Sequence, residues 1–152
     1  MNPLKNYKMK DNRQIQQAAV IGSGIMGSRI ACHLANVGIQ VLLLDITPLK
    51  LNESEEKQGF DLDQDIVKNR IVKDALKSTL KSRPSSLYQK EFAHRISTGN
   101  LSDDFNEIVH ADWIIEVVVE RLDIKKRSLK KWKNIENQAV SFPVTPLESL
   151  SI

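Results

Sequence analysis

The chain has 152 residues, a formal net charge of +3 and one cysteine; 41% of it is hydrophobic, 27% charged and 5% aromatic. That length permits one domain with a real core. So few aromatic residues argue against a base-stacking nucleic-acid surface. The mildly basic balance, with a pI near 9.0, interleaves acids with bases and points to a solvated mixed surface rather than a nucleic-acid partner. A lone Cys32 excludes an intramolecular disulfide. No apolar stretch reaches the length of a membrane span. Residues 1–14 are polar without the apolar centre of a signal peptide and read as a flexible leader, so a cytoplasmic protein is expected.

In chain order, residues 18–22 form a short apolar run of the kind seen in buried parallel strands. Ser23-Gly24-Ile25-Met26-Gly27 follows, and then Ile25, Met26, Ile30, Ala31, Leu34 and Ala35 recur at helical spacing. Cys32 lies in that run, and a packing role is expected for it. Gly38 is placed to close the helix. Residues 40–45 predict a second buried strand that ends on Asp45, so the segment spells a βαβ unit.

The charged stretch 48–82 carries Ile66, Ile71, Ala75, Leu76 and Leu80 at roughly helical spacing, which predicts one or two amphipathic helices ended by Pro84. Residues 96–99 read as a short strand or turn. Residues 103–110 read as a helix capped by Ser102 or Asp103. Residues 113–119 are β-rich and apolar, a further buried strand. Residues 122–133 suggest a basic helix, and 138–152 show no periodicity.

The glycine pattern Gly22-x-Gly24-x-x-Gly27 is weak evidence alone, but here it follows a strand, opens a helix, and has an acid ending the next strand. Gly22 permits the tight turn, Gly24 lets backbone approach a pyrophosphate, and Gly27 lets the helix pack against the strand. The helix start, through Ser23, Ile25 and Met26, offers N–H groups to phosphates. Asp45 comes eighteen residues after Gly27, near the spacing for an acid that accepts hydrogen bonds from the adenosine ribose. A carboxylate there repels a 2′-phosphate and no arginine follows it directly, so NAD is expected over NADP. The residues predict an α/β fold with a Rossmann-type doubly wound parallel sheet and a helical insertion after the second strand. They point to no metal site.

Several segments resemble the 3-hydroxyacyl-CoA dehydrogenase family: residues 19–28, His33-Leu34-Ala35-Asn36, residues 41–46, Gly99-Asn100-Leu101 with Asp103-Asp104, and above all residues 111–120. The resemblance covers residues 15–126 and is closest to the long bacterial members that carry a hydratase-like half. It implies oxidation of 3-hydroxyacyl-CoA to 3-ketoacyl-CoA in fatty-acid β-oxidation, NAD as cofactor, and acyl-CoA as substrate of the full-length parent. It also implies that the 48–82 insertion forms part of the acyl-CoA cleft. By the same resemblance Glu120 and Lys125 approach the NAD and active-site region.

From Arg127 the family pattern stops. Loss of one nucleotide after codon 126 lets the remaining codons decode into a string like the family's continuation, through its Lys-Pro-Gly turn and Asn-Thr-Ser segment. The expected organisation is therefore a leader at 1–14, an incomplete NAD-binding domain at 15–126, and an out-of-frame tail at 127–152. The family's catalytic histidine, in a His-Phe-Phe-Asn-Pro segment, and its glutamate partner do not occur here, so no catalytic residue is assigned. His33, His94 and His110 lie in no such motif. With one side of the sheet lacking its partners, partly uncovered apolar faces are expected. A small NAD-binding module without catalysis stands as the alternative. Other 3-hydroxy-acid dehydrogenases sharing the glycine pattern fit the 113–120 segment less well.

Overall fold

The apolar runs on either side of the glycine turn pair with one another. The computed structural model describes residues 14–117. In it β1 (Gln17–Ile21) leads into α1 (Ile25–Asn36) and then β2 (Gln40–Asp45). Three helices follow: α2 (Glu53–Gln58), α3 (Asp65–Lys68) and α4 (Arg70–Lys81). A 3₁₀ turn (Lys90–Arg95) enters β3 (Ile96–Asn100), and a second one (Phe105–His110) enters β4 (Trp113–Glu116). The sheet has the order β3-β2-β1-β4 and every pairing is parallel.

Alternation along the strands splits the core into two layers. Ala18 and Val20 of β1, Val41 and Leu43 of β2 and Ile115 of β4 face α1 and α4, where Ala31, Cys32, Leu34, Ala35 and Val72 meet them. Ala19, Ile21, Leu44 and Ile114 face the other way, against Phe105 and Ile108 of the second 3₁₀ turn. This is the expected α/β sheet with a layer on each face. The cover of the second face by described residues is thin: Leu42 is only partly buried there.

Local chemistry explains the ends. Val37 and Gly38 close α1: Gly38 has φ 96°, its N–H donates to the Ala35 carbonyl and the Ile39 N–H to the Leu34 carbonyl. Those two bonds form the left-handed cap predicted for Gly38. The Arg95 guanidinium adds a bond of 2.6 Å to the Ala35 carbonyl and lies over the Phe92 ring. The Asn36 side chain donates to the Ser86 carbonyl and accepts from the Tyr88 N–H, fastening that loop to the end of α1.

The structure differs from the sequence expectations in several places. β1 ends at Ile21 because Gly22, at φ 102°, has already turned. Residues 96–99 form a strand, extended to Asn100 by pairing with β2. The stretch 48–82 holds three helices. α2, not foreseen, is set by a capping box in which the Asn52 side chain accepts from the Ser54 and Glu55 N–H groups and Glu55 accepts from the Asn52 N–H. In α4 the buried residue is Val72, with Leu76 and Leu80 packed at the margin; Ile66 in α3 is exposed. The helix expected over 103–110 is a 3₁₀ turn from Phe105, and neither Ser102 nor Asp103 caps it. Their N–H groups instead donate to the Asn100 side chain, which shapes the chain leaving β3. β4 is Trp113–Glu116; Val118 and Val119 of the expected strand, the expected helix at 122–133 and the tail lie outside the described residues. No helix among the described residues is long and apolar enough to cross a membrane.

The insertion is tied to the sheet by charge. Lys68 Nζ lies 3.1 Å from Asp103 Oδ2, and buried Asn100 donates to Asp103 as well. These bonds, that from Lys68 first, hold the Asp103 carboxyl below its ordinary value; the bond to Asp103 raises Lys68. Stability from Asp103 is therefore present above the ordinary carboxylate range and lost as pH falls through its lowered value. That from Lys68 is lost only as pH rises through its raised value, so the pair is intact between about pH 5 and 9. Thermal melts of Asp103→Asn should show a shallower loss on the acid side than the parent chain. Leu43→Ala, which empties a fully buried position between α1 and the sheet, should lower unfolding free energy by about 2–5 kcal/mol in urea titration.

Candidate functional site

The end of β1 turns sharply. The Gly22 N–H donates to the Leu44 carbonyl at 2.8 Å, and its positive φ suits glycine alone among common residues. α1 begins at once and lies against this turn. A Cβ built on Gly27 would sit 1.8 Å from the Gly22 carbonyl oxygen, so no side chain fits there. A Cβ on Gly24 meets nothing within 4 Å, which leaves open space in front of the turn.

Gly24 is the residue before α1 and provides no side-chain cap; the first turn carries no acid. The first bond of the helix runs from the Ser28 N–H to the Gly24 carbonyl at 3.0 Å. The N–H groups of Ile25, Met26 and Gly27 come before that bond and have no acceptor within the helix. They stand at the positive end of the helix dipole, an arrangement that receives anions. The Ile25 and Met26 side chains are exposed beside it.

Ser23 points elsewhere. It is fully buried, and its N–H and Oγ both donate to Asp45 Oδ2, at 2.7 and 2.5 Å. Its carbonyl accepts from Ser28 Oγ at 2.6 Å. Asp45 Oδ1 accepts from the Ile46 N–H. The acid is thus hydrogen-bonded to the glycine loop itself, and the two features that lie apart in sequence form one site.

Strand register assembles the rest. Ile21 pairs with Leu44 and with Glu116, and Asp45 pairs with Asn100. The Leu101 N–H donates to the Asp45 carbonyl and the Val117 N–H to the Ile21 carbonyl. All four carboxyl ends therefore lie in one row. The chain leaves β1 toward β2 on one side and returns on the other as β4, so a crevice opens at the end of β1 where ligands of such sheets bind. Cys32 is buried in α1, as expected of a packing residue, and burial pushes its thiol pKa up. Glu120 and Lys125 lie outside the described residues. Away from the glycine loop, Lys73, Lys77 and Lys81 of α4 line an open groove of about 390 Å³ with Leu76, Leu80, Ile96 and Thr98.

Sequence reasoning missed Ser28, whose hydroxyl braces the loop, and the Leu101 N–H that anchors the Asp45 backbone. A small polar residue directly after Gly27 was the available signal for Ser28; nothing local marked Leu101.

A parallel sheet of this order, with a glycine turn feeding a helix start and an acid beside it, defines a Rossmann-type dinucleotide-binding domain. The residues present fit NAD: open space over Gly24, unpaired amides for the phosphates, and a carboxylate for the ribose. The sequence profile described as "3-hydroxyacyl-CoA dehydrogenase, NAD binding domain" matches residues 17–142. The chain belongs to that family. A Bacillus subtilis protein named "Probable 3-hydroxyacyl-CoA dehydrogenase" is 50% identical over 116 residues, which is 76% of this chain and 15% of the relative. A Deinococcus radiodurans protein of the same name is 37% identical over 123 residues, 81% of this chain and 31% of the relative. The chain thus spans less than a third of either. In fold it resembles a diketoreductase structure, with a TM-score of 0.50 and 23% identity over 81% of this chain and 38% of that one.

The two glycines should separate by experiment. Gly24→Ala is tolerated by the fold but places a methyl where the phosphates approach, so NADH affinity should fall about tenfold or more in a fluorescence titration with an unchanged melting temperature. Gly27→Ala must displace α1 and should cost about 3 kcal/mol or more of stability. Equal effects of both on stability would contradict the different spaces around them.

Proposed function

We propose that this chain is the coenzyme-binding portion of a cytoplasmic NAD-dependent 3-hydroxyacyl-CoA dehydrogenase of fatty-acid β-oxidation. The single observation that carries the reading is the junction of the glycine turn, the start of α1 and Asp45 at the carboxyl ends of the strands. The helix amides bind the pyrophosphate, Asp45 accepts from the adenosine ribose, and Gly22, Ser23, Gly24 and Gly27 shape the turn between them. Ile25 and Met26 present their N–H groups there, and by the family resemblance Glu120 and Lys125 approach the NAD and active-site region. When bound, NAD supplies the hydride acceptor for the 3-hydroxyl carbon of the substrate. Acyl-CoA as substrate of the full-length parent is supported by the α4 groove: its leucines offer an apolar floor and its three lysines meet phosphate charge.

Neither the histidine motif nor its glutamate partner is part of this sequence. A general base must take the hydroxyl proton as hydride leaves, so this polypeptide alone binds coenzyme without turnover. The family match to residue 142, beyond Lys126, favours a second reading of the tail: an in-frame, divergent end to a small NAD-binding module. Resequencing the gene from codon 120 onward decides between the two. A frame restored by one base after codon 126 and running into the histidine motif makes the tail out of frame. An intact frame with no such continuation makes the module genuine.

The functional test uses the purified chain. NADH should bind with enhanced coenzyme fluorescence and more tightly than NADPH, and incubation with NAD and 3-hydroxybutyryl-CoA should yield no NADH. Failure to bind NADH would refute the coenzyme reading, and measurable NADH formation would refute the absence of turnover.

A further inference from the structure

The Asp45 carboxylate serves two masters. A carboxylate offers about four lone-pair sites. In this protein two of them, both on Oδ2, are taken by the N–H and hydroxyl of one residue, Ser23, and one on Oδ1 by the Ile46 N–H. The remaining acceptor capacity is on Oδ1. Ser23 is itself held on both sides: Gly22 is bonded to Leu44 before it, and its own carbonyl receives Ser28 Oγ. At 1% exposure its hydroxyl has no solvent to turn to, and leaving it unpaired would cost more than keeping it on Asp45.

We propose that Ser23 is a positioning and specificity-determining residue acting through Asp45, rather than a ligand contact of its own. Its paired donors lock Oδ2 as an internal anchor. They leave Oδ1 to accept from an adenosine ribose hydroxyl, and they keep the negative charge where a 2′-phosphate would enter. Discrimination between NAD and NADP therefore depends on the Ser23 hydroxyl as well as on the acid. The inference rests on the NAD reading of this site and adds to it the residue that orients its acid.

The test is a double-mutant cycle on the full chain, read as the ratio of NADPH to NADH dissociation constants from coenzyme fluorescence. Each variant is checked for an unchanged circular dichroism spectrum. Ser23→Ala should shrink the preference for NADH by about three- to tenfold, the worth of one net hydrogen bond. Asp45→Asn should lower it at least as much. In the Asp45→Asn background, Ser23→Ala should have no further effect on the ratio. A purely structural role for Ser23 would weaken both coenzymes together and leave the ratio alone, which would overturn the proposal. So would an equal effect of Ser23→Ala with and without the Asp45 carboxylate, or an unchanged ratio in the single variant. If the parent chain binds neither coenzyme, the NAD reading falls and this inference with it; an unaffected Ser23→Ala ratio in a chain that binds NADH overturns this inference alone.

Discussion

The missing side chain at Gly27 allows α1 to rest on the Gly22 carbonyl, and the geometry of the site follows from that contact. With α1 seated there, its first turn points at the end of β1, and Ala31, Cys32, Leu34 and Ala35 are delivered to the sheet. The cap at Gly38 then sends the chain back beside β1 as β2. Because β1 and β2 run in register, Asp45 arrives one residue past the level of Ile21, within reach of Ser23. A larger residue at position 27 would lift the helix off the turn and separate all of these together.

Electrostatics divides the site into two halves. The start of α1 is a concentration of amide donors with no acid to satisfy them, and it favours negative groups. Asp45, next to it, favours hydroxyl donors and rejects phosphate. A dinucleotide presents the complementary order, pyrophosphate beside ribose diol. The buried polar groups that support this contrast are satisfied, Ser23 by Asp45 and Ser28 by the Ser23 carbonyl, so the low-dielectric surroundings strengthen the arrangement rather than penalise it.

The insertion between β2 and β3 is attached differently. Val72 joins the core with Leu76 and Leu80 packed against it, Val67 is buried, and polar ties complete the attachment. Arg70 bonds to Glu55 and to the Lys50 carbonyl, joining α4 to α2 and the chain after Asp45. Lys68 and Asn69 reach Asp103 and Asn100 at the end of β3.

The sequence by itself determined the parts that depend on neighbours close along the chain. The glycine spacing, the helical periodicity of 25–35, the cap at Gly38 and the acid ending the second strand were legible because each is a local constraint on backbone or burial. The capping box at Asn52 and Glu55 was equally local, though masked by the charge around it. Tertiary structure alone decided what depends on residues far apart in sequence. Whether 96–100 was strand or turn rested on pairing with β2. The 3₁₀ turn over 105–110 packs Phe105 and Ile108 against the second face of the sheet, a contact with residues of β1, β2 and β4. Ser23 sits in the glycine loop, yet its hydrogen bonds run to a carboxylate 22 positions away. A hydrogen bond across that separation has no sequence period; it exists only once α1 has folded down on Gly22 and brought β2 alongside.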